Sequence, residues 1–196
     1  NWSELDNSTA IWKGLLTDVL PHLTQNHKRP VGFFDLSDCS KRTEENISEA
    51  MNLLKLFSRY WNVVLSLNLN EATIVNKVLT GVNSGPNLEK IGETLYDKLQ
   101  LSGVIIHYSK QALCWDPSGF HRKESFYISN PTLSTGAGDN FNAGFCAGML
   151  ADLNAETCLL LGHATANLYM SNGKSPSIGE LVELLSTRFT VARTSV

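Results

Sequence analysis

The stretch "STGAGDNFNAGF" (134–145) sets Gly136, Ala137 and Gly138 directly ahead of one carboxylate, Asp139, and an apolar run follows. Gly136 and Gly138 admit backbone angles closed to other residues and let another group come close to the main chain. Read as strand, turn and helix, successive amides point into one concavity at the positive end of the helix that starts near Asp139. Such a nest attracts an anion, and phosphate is the common biological choice. Two roles are open for Asp139. It caps the helix, or it faces a bound phosphate and takes a proton from an attacking hydroxyl. A weakly basic carboxylate suffices for the second role, because alignment and charge stabilisation dominate phosphoryl transfer.

A second polar pair, Asn68 and Glu71 in "NLNE", follows the β-branched run "NVVLSL" (62–67). By spacing alone it reads as a helix start, with Asn68 or Asn70 capping and Glu71 in the first turn. Oxygen-bearing side chains at such a place also suit Mg²⁺, which prefers oxygen ligands and keeps several waters.

These residues need elements to hold them. Apolar runs at "VGFFDL" (31–36), "NVVLSL" and "GVIIHY" (103–108) predict buried strands. "ALCW" (112–115), the turn "DPSG" and "FHRKESFYI" (120–128) predict a hairpin. Helical stripes run over 8–20 (stopped by Pro21), over 43–60, over 70–79 ahead of "NSGP", and from an Asn87 cap through Leu88, Ile91, Leu95 and Leu99. Three more follow at 138–151, 155–170 and 178–188, the last opening on a Ser177-x-x-Glu180 capping box. Strands alternating with helices, then helices alone, predict an α/β domain with a largely parallel sheet. No repeat or linker divides the chain, so residues 1–196 are expected to form one domain.

Composition removes several function classes. The net charge of −3 is spread along the chain without a Lys/Arg run, so the electrostatic footprint of a nucleic-acid binder is lacking. Cys39, Cys114, Cys146 and Cys158 lie far apart with no CxxC pair, which predicts buried thiols in a reducing compartment rather than zinc ligands. No stretch approaches about 18 uninterrupted apolar residues, and the opening "NWSELDNSTA" is polar, so neither a membrane span nor a secretory leader is read and a cytoplasmic location is expected. A dinucleotide-binding dehydrogenase is disfavoured, because the glycine turn comes late and reads GAGD rather than GxGxxG.

The glycine stretch resembles the second signature of the ribokinase-like (PfkB) carbohydrate kinases, D-T-x-G-A-G-D followed by F-x-x-G. Gly136, Ala137, Gly138 and Asp139 match its centre, and Phe141, Asn142 and Gly144 continue it. The resemblance implies a three-layer α/β/α fold and ATP-dependent phosphorylation of a sugar hydroxyl. It makes the 136–138 amides the anion hole and Asp139 the base. Asn68-x-x-Glu71 matches the family's N-x-x-E, which implies that Glu71 holds Mg²⁺, largely through water, and that Asn68 helps position the ATP phosphates. In "ATANLYMSNGKSPSIGEL" (164–181), Ala164, Asn167 and Ser171 fall where relatives line the adenine or the neighbouring loop. ATP·Mg is expected across the carboxyl ends of the strands.

The chain also departs from the family pattern. Leu133 stands where the leading Asp belongs, which removes the ground for expecting potassium activation. "HYSKQA" (107–112) replaces the T-x-G-x-x-G turn, with Ser109 and Ala112 in place of the glycines. His107 there is placed to touch a phosphate or to serve as a hydrogen-bonded structural group. Asp35 and Asp38 follow a strand that in relatives lies near the substrate cleft, and by themselves they read as a solvated strand-end turn. The sugar-gripping G-G segment and the β-lid have no counterpart, so the chain is expected to correspond to the family's later part and to be a poor enzyme alone. A homodimer is expected only of a longer protein. The alternative is a non-catalytic member that binds a nucleotide or sugar phosphate and regulates.

Overall fold

Every apolar run expected to be a strand is one in the computed structural model, which describes residues 2–23, 29–82, 85, 87–126 and 131–193. Strands β1 (Val31–Asp35), β2 (Asn62–Asn68), β3 (Gly103–His107), β4 (Gln111–Asp116) and β5 (Gly119–Glu124) form one sheet in the order β1-β2-β3-β4-β5. β1 pairs with β2 in parallel, Asp35 opposite Ser66, and β2 pairs with β3 in parallel, Asn68 opposite His107. Residues 117–118 join β4 to β5, and 108–110 join β3 to β4. Connections that short allow only antiparallel neighbours. The turn into β5 is pinned by Asp116, whose carboxylate accepts the Ser118 N–H at 2.8 Å.

Two compact units divide the chain. The first comprises residues 1–108 and 113–120, the second 109–112 and 121–196. In the first, helices α2 (Glu44–Phe57), α3 (Leu69–Thr80) and α4 (Leu88–Leu99) follow the predicted stripes. Thr43 caps α2 through the Asn46 N–H, and Asn87 caps α4 through the Lys90 N–H. Their apolar faces close a core with the strands in which Leu54, Phe57, Leu65, Leu67, Leu95 and Ile106 are fully buried. Phe57 stacks on Trp61 at 5.1 Å and meets Trp12 edge-on at 5.9 Å. The stripe over 8–20 is not one helix. It runs as α1 (Ser8–Gly14), a wider π turn at Leu15–Val19 and a 3-10 turn at Leu20–His22. Pro21 lies in the last of these and cannot donate to the preceding turn.

The second unit is built on α5 (Ala137–Leu150), α6 (Ala155–Asn172) and α7 (Ile178–Arg193). Asn154 caps α6 through the Thr157 N–H, and the Ser177–Glu180 capping box opens α7 as the sequence predicts. Helices α5 and α6 pack at very short range. A Cβ on Gly144 would stand 2.5 Å from the Leu161 carbonyl oxygen, and Phe141 lies edge-on to His163 at 5.2 Å. The hairpin differs from expectation in its second strand, which ends at Glu124; residues 127 and 128 lie outside the described residues. Residues 131–136 hold no strand, so the segment entering the glycine turn is irregular among the described residues. Also among these, no helix is long and apolar enough to cross a membrane.

Candidate functional site

Parallel pairing brings the last residues of three strands to one edge of the first unit: Asp35 of β1, Asn68 of β2 and His107 of β3. Asn68 leaves β2 in an extended conformation and becomes the N-cap of α3. Its side-chain oxygen accepts the Glu71 N–H at 2.9 Å, and the Glu71 carboxylate accepts the Asn68 N–H at 2.9 Å. The helix-start reading of this pair is therefore fully realised in the geometry. It leaves Glu71 buried, at 3% exposure.

A carboxylate taken out of water holds its proton more tightly. Burial pushes the Glu71 carboxyl up to about 7, the charges of Asp35 and Asp38 push the same way, and the bonds from Asn68 oppose them. Burial pushes His107 down to about 4 against the charge of Asp35, and its Nε2 has no solvent-accessible surface. At neutral pH the His107 imidazole is uncharged. The Cys39 thiol, raised to about 12 by burial and by Glu71 and Asp38, is unreactive.

Asp35, half-buried, and Asp38, exposed, hold the strand-end turn that the sequence suggests. The Asp35 carboxylate accepts the N–H of Ser37, a residue with φ 57°, at 2.7 Å. Asp38 holds the turn at Cys39–Lys41 through the Ser40 N–H. Both charges nonetheless reach Glu71. The signal in the sequence was an acid at the end of a buried strand, but its neighbour could be known only once β1 lay beside β2.

An edge that gathers acidic oxygen groups and pushes one of them toward neutrality suits a divalent cation, which would restore the ionised form. Among the described residues no group of three His, Cys, Asp or Glu side chains forms a ligand cluster.

The second unit carries the glycine stretch. Gly136 has φ 87° and ψ 0°, a left-handed conformation, and is the N-cap of α5. Asp139 lies in the first turn and is exposed. The amides are not equivalent. Ala137 donates its N–H to the Ser134 carbonyl oxygen at 3.1 Å and so closes the turn. Gly138 and Asp139 occupy the next two helix positions, whose N–H groups have no acceptor within a helix. Asn140 caps the turn from inside, its amide donating to the Gly136 carbonyl oxygen at 2.9 Å.

Of the residues expected beside adenine, Ser171 is exposed and Asn167 is buried at 5%. The Asn167 amide nitrogen donates to the His163 carbonyl oxygen at 2.9 Å and to Ser125 Oγ at 3.3 Å. Leu133, in the leading position of the glycine signature, is 37% exposed. Ser109 is exposed and Ala112 is buried in β4, and neither takes a left-handed backbone, so this turn has no need of glycine at those places. The first unit brings together Asn68, Glu71 and His107; the second brings together Gly136–Asp139 and the end of α6, linked by Tyr169, whose hydroxyl donates to the Thr135 carbonyl oxygen at 2.8 Å. Sequence reasoning missed Tyr169, because nothing in its local pattern marks a tether to residues 34 positions away.

Residues 1–188 match the family described as prokaryotic ketohexokinase. A ketohexokinase of Haloferax volcanii is 26% identical over 180 residues, which are 92% of this chain and 47% of that protein. Ribokinase from Thermotoga maritima superposes with a TM-score of 0.63 at 21% identity, over 82% of this chain and 50% of its own. A nucleoside kinase of Burkholderia thailandensis, solved with inosine, superposes with a TM-score of 0.66 at 16% identity, over 93% and 53%. The fold is therefore ribokinase-like, and the chain spans about half the length of the relatives it matches.

Proposed function

The chain belongs to the prokaryotic ketohexokinase family, and from that premise we propose that it carries the nucleotide-binding and phosphoryl-transfer part of an ATP-dependent sugar kinase with a ketohexose as acceptor. The observation that carries this reading is the left-handed turn at Gly136, which starts α5 with an exposed Asp139 in its first turn. There the carboxylate takes the proton of the sugar hydroxyl as that oxygen bonds to the γ-phosphorus. The bond from the γ-phosphorus to the bridging oxygen breaks, and ADP leaves with the electron pair. The N–H groups of Gly136 and Gly138 serve the charge on the moving phosphoryl oxygens, while that of Ala137 holds the turn closed.

Glu71 is the residue we assign to Mg²⁺, its carboxylate fixed by the Asn68 N–H, and Asn68 is assigned to the nucleotide phosphates. When bound, the ion neutralises phosphate charge and favours the ionised form of Glu71. His107, uncharged at neutral pH, would meet a phosphate as a hydrogen-bond donor rather than as a cation. Asn167 and Ser171 are assigned to the adenine side, Ser171 through its exposed side chain. A cytoplasmic protein accompanies this reading.

The test is Asp139→Asn in the whole protein. Loss of a positioned general base lowers turnover by about 10²- to 10⁴-fold, while ATP binding, measured calorimetrically, should stay within a few-fold. An unchanged turnover number removes Asp139 from the role of base.

A further inference from the structure

The segment leading into α5 is strapped to the last turn of α6. The Met170 carbonyl oxygen accepts the N–H groups of Thr132 (2.7 Å) and Leu133 (3.2 Å), and the Ser171 carbonyl oxygen accepts from Thr132 Oγ1 at 3.0 Å. Both carbonyls belong to the end of a helix that stops at Gly173, where they have no N–H partner within the helix. Residues 132 and 133 supply those partners and are held in return.

The bond from Tyr169 acts on a different object. The peptide between Thr135 and Gly136 is planar and trans, so its C=O and N–H point in opposite directions. Anchoring the Thr135 oxygen on the Tyr169 hydroxyl at 2.8 Å therefore sets where the Gly136 N–H points. The same hydroxyl lies 2.8 Å from the place a Cβ on residue 136 would take, with Tyr169 Cζ at 3.3 Å. Gly136 thus meets two demands at once: a left-handed φ and room for the ring that holds it.

We infer that Tyr169 is a positioning residue for phosphoryl transfer: through the Thr135 carbonyl it fixes the peptide plane ahead of Gly136 and so aims the amides at the start of α5. The inference rests on the sugar-kinase reading for its consequence, although the tether itself does not. Amides of this kind act by lying within hydrogen-bond distance of charge that develops only in the transition state. A tilted peptide plane loses that interaction while ground-state binding is nearly unchanged, so the effect falls on kcat rather than KM.

The experiment is Tyr169→Phe in the whole protein, which keeps the ring against Gly136 and removes the donor. With MgATP and a ketohexose, kcat should fall roughly tenfold, less than the 10²–10³ for outright loss of such a donor, with KM for both substrates within about twofold. Amide hydrogen exchange at Ala137, whose N–H closes the turn on the Ser134 carbonyl oxygen, should quicken. Thr132→Val removes the Thr132 Oγ1 bond to Ser171 and spares the Tyr169 bond; it should lower the unfolding midpoint and leave kcat near wild type. A wild-type kcat in Tyr169→Phe overturns the inference, as does an equal loss in both variants. Absence of turnover in the wild-type protein with every ketohexose overturns the sugar-kinase reading and with it the role in transfer. Exchange at Ala137 then decides whether Tyr169 sets the turn, and unchanged exchange there in Tyr169→Phe overturns that as well.

Discussion

Glu71 and His107 sit at one strand edge and are displaced in opposite directions by the same burial. The folded protein holds the Glu71 proton up to about 7, against an ordinary value of 4.5, so Glu71's contribution to stability falls as pH rises through that interval. His107 has a folded value of about 4 against an ordinary 6.5, so its contribution is lost as pH falls through that window. The two slopes oppose each other where the windows overlap, and the wild-type pH profile should be shallow there. Glu71→Gln keeps an acceptor for the Asn68 N–H and removes one slope. Its stability relative to wild type should increase between pH 5 and pH 8, by on the order of 3 kcal/mol, in urea titrations at the two pH values. A difference that does not change with pH would mean that Glu71 is already ionised when folded. At this scale Asp139, Gly136 and the Asn68–Glu71 pair were legible, because each announces itself within four residues. Tyr169 and the reach of Asp35 were not, since their partners are distant in the chain.

Elements explain what the residues around the signature do. Phe141 and Gly144 match the family's F-x-x-G, yet neither has chemistry to offer. Phe141 is buried against His163, and Gly144 lets the backbone of α6 approach α5. They fix the helix whose first turn carries Asp139. Gly144→Ala would press a methyl group onto the Leu161 carbonyl, a backbone atom that cannot swing aside. Overpacking of this kind costs about 1–3 kcal/mol, more than the roughly 1 kcal/mol that alanine recovers in helix propensity. A lowered denaturation midpoint is expected. Gly14→Ala in α1, with only Asp18 Oδ2 at 3.8 Å, should be neutral or slightly stabilising in the same assay. Helix stripes and caps were readable because local periodicity and a cap's hydrogen bond are local events. The division of 8–22 into three kinds of turn was not, because only its lower end is marked by proline.

For the whole molecule the open question is cooperativity. All four tryptophans, Trp2, Trp12, Trp61 and Trp115, belong to the first unit, whereas helices α5, α6 and α7 lie in the second. Tryptophan fluorescence therefore follows the first unit alone, and far-ultraviolet circular dichroism follows both. Units with their own apolar cores should give curves that separate in a guanidinium titration. Superimposed curves would instead show a single cooperative domain, as the uninterrupted sequence suggests.

Sequence alone determined the strand and helix order, the glycine turn with its acid, and the acid–amide pair after the second strand. All of these depend on interactions within a few residues or on the period of apolar positions. Tertiary structure decided which acids share an edge, which amide the turn consumes, and which hydroxyl holds the turn in place. Those outcomes depend on register and on the approach of helices far apart in the chain, and burial, which moves Glu71 and His107 from their ordinary titration, exists only once the chain has folded.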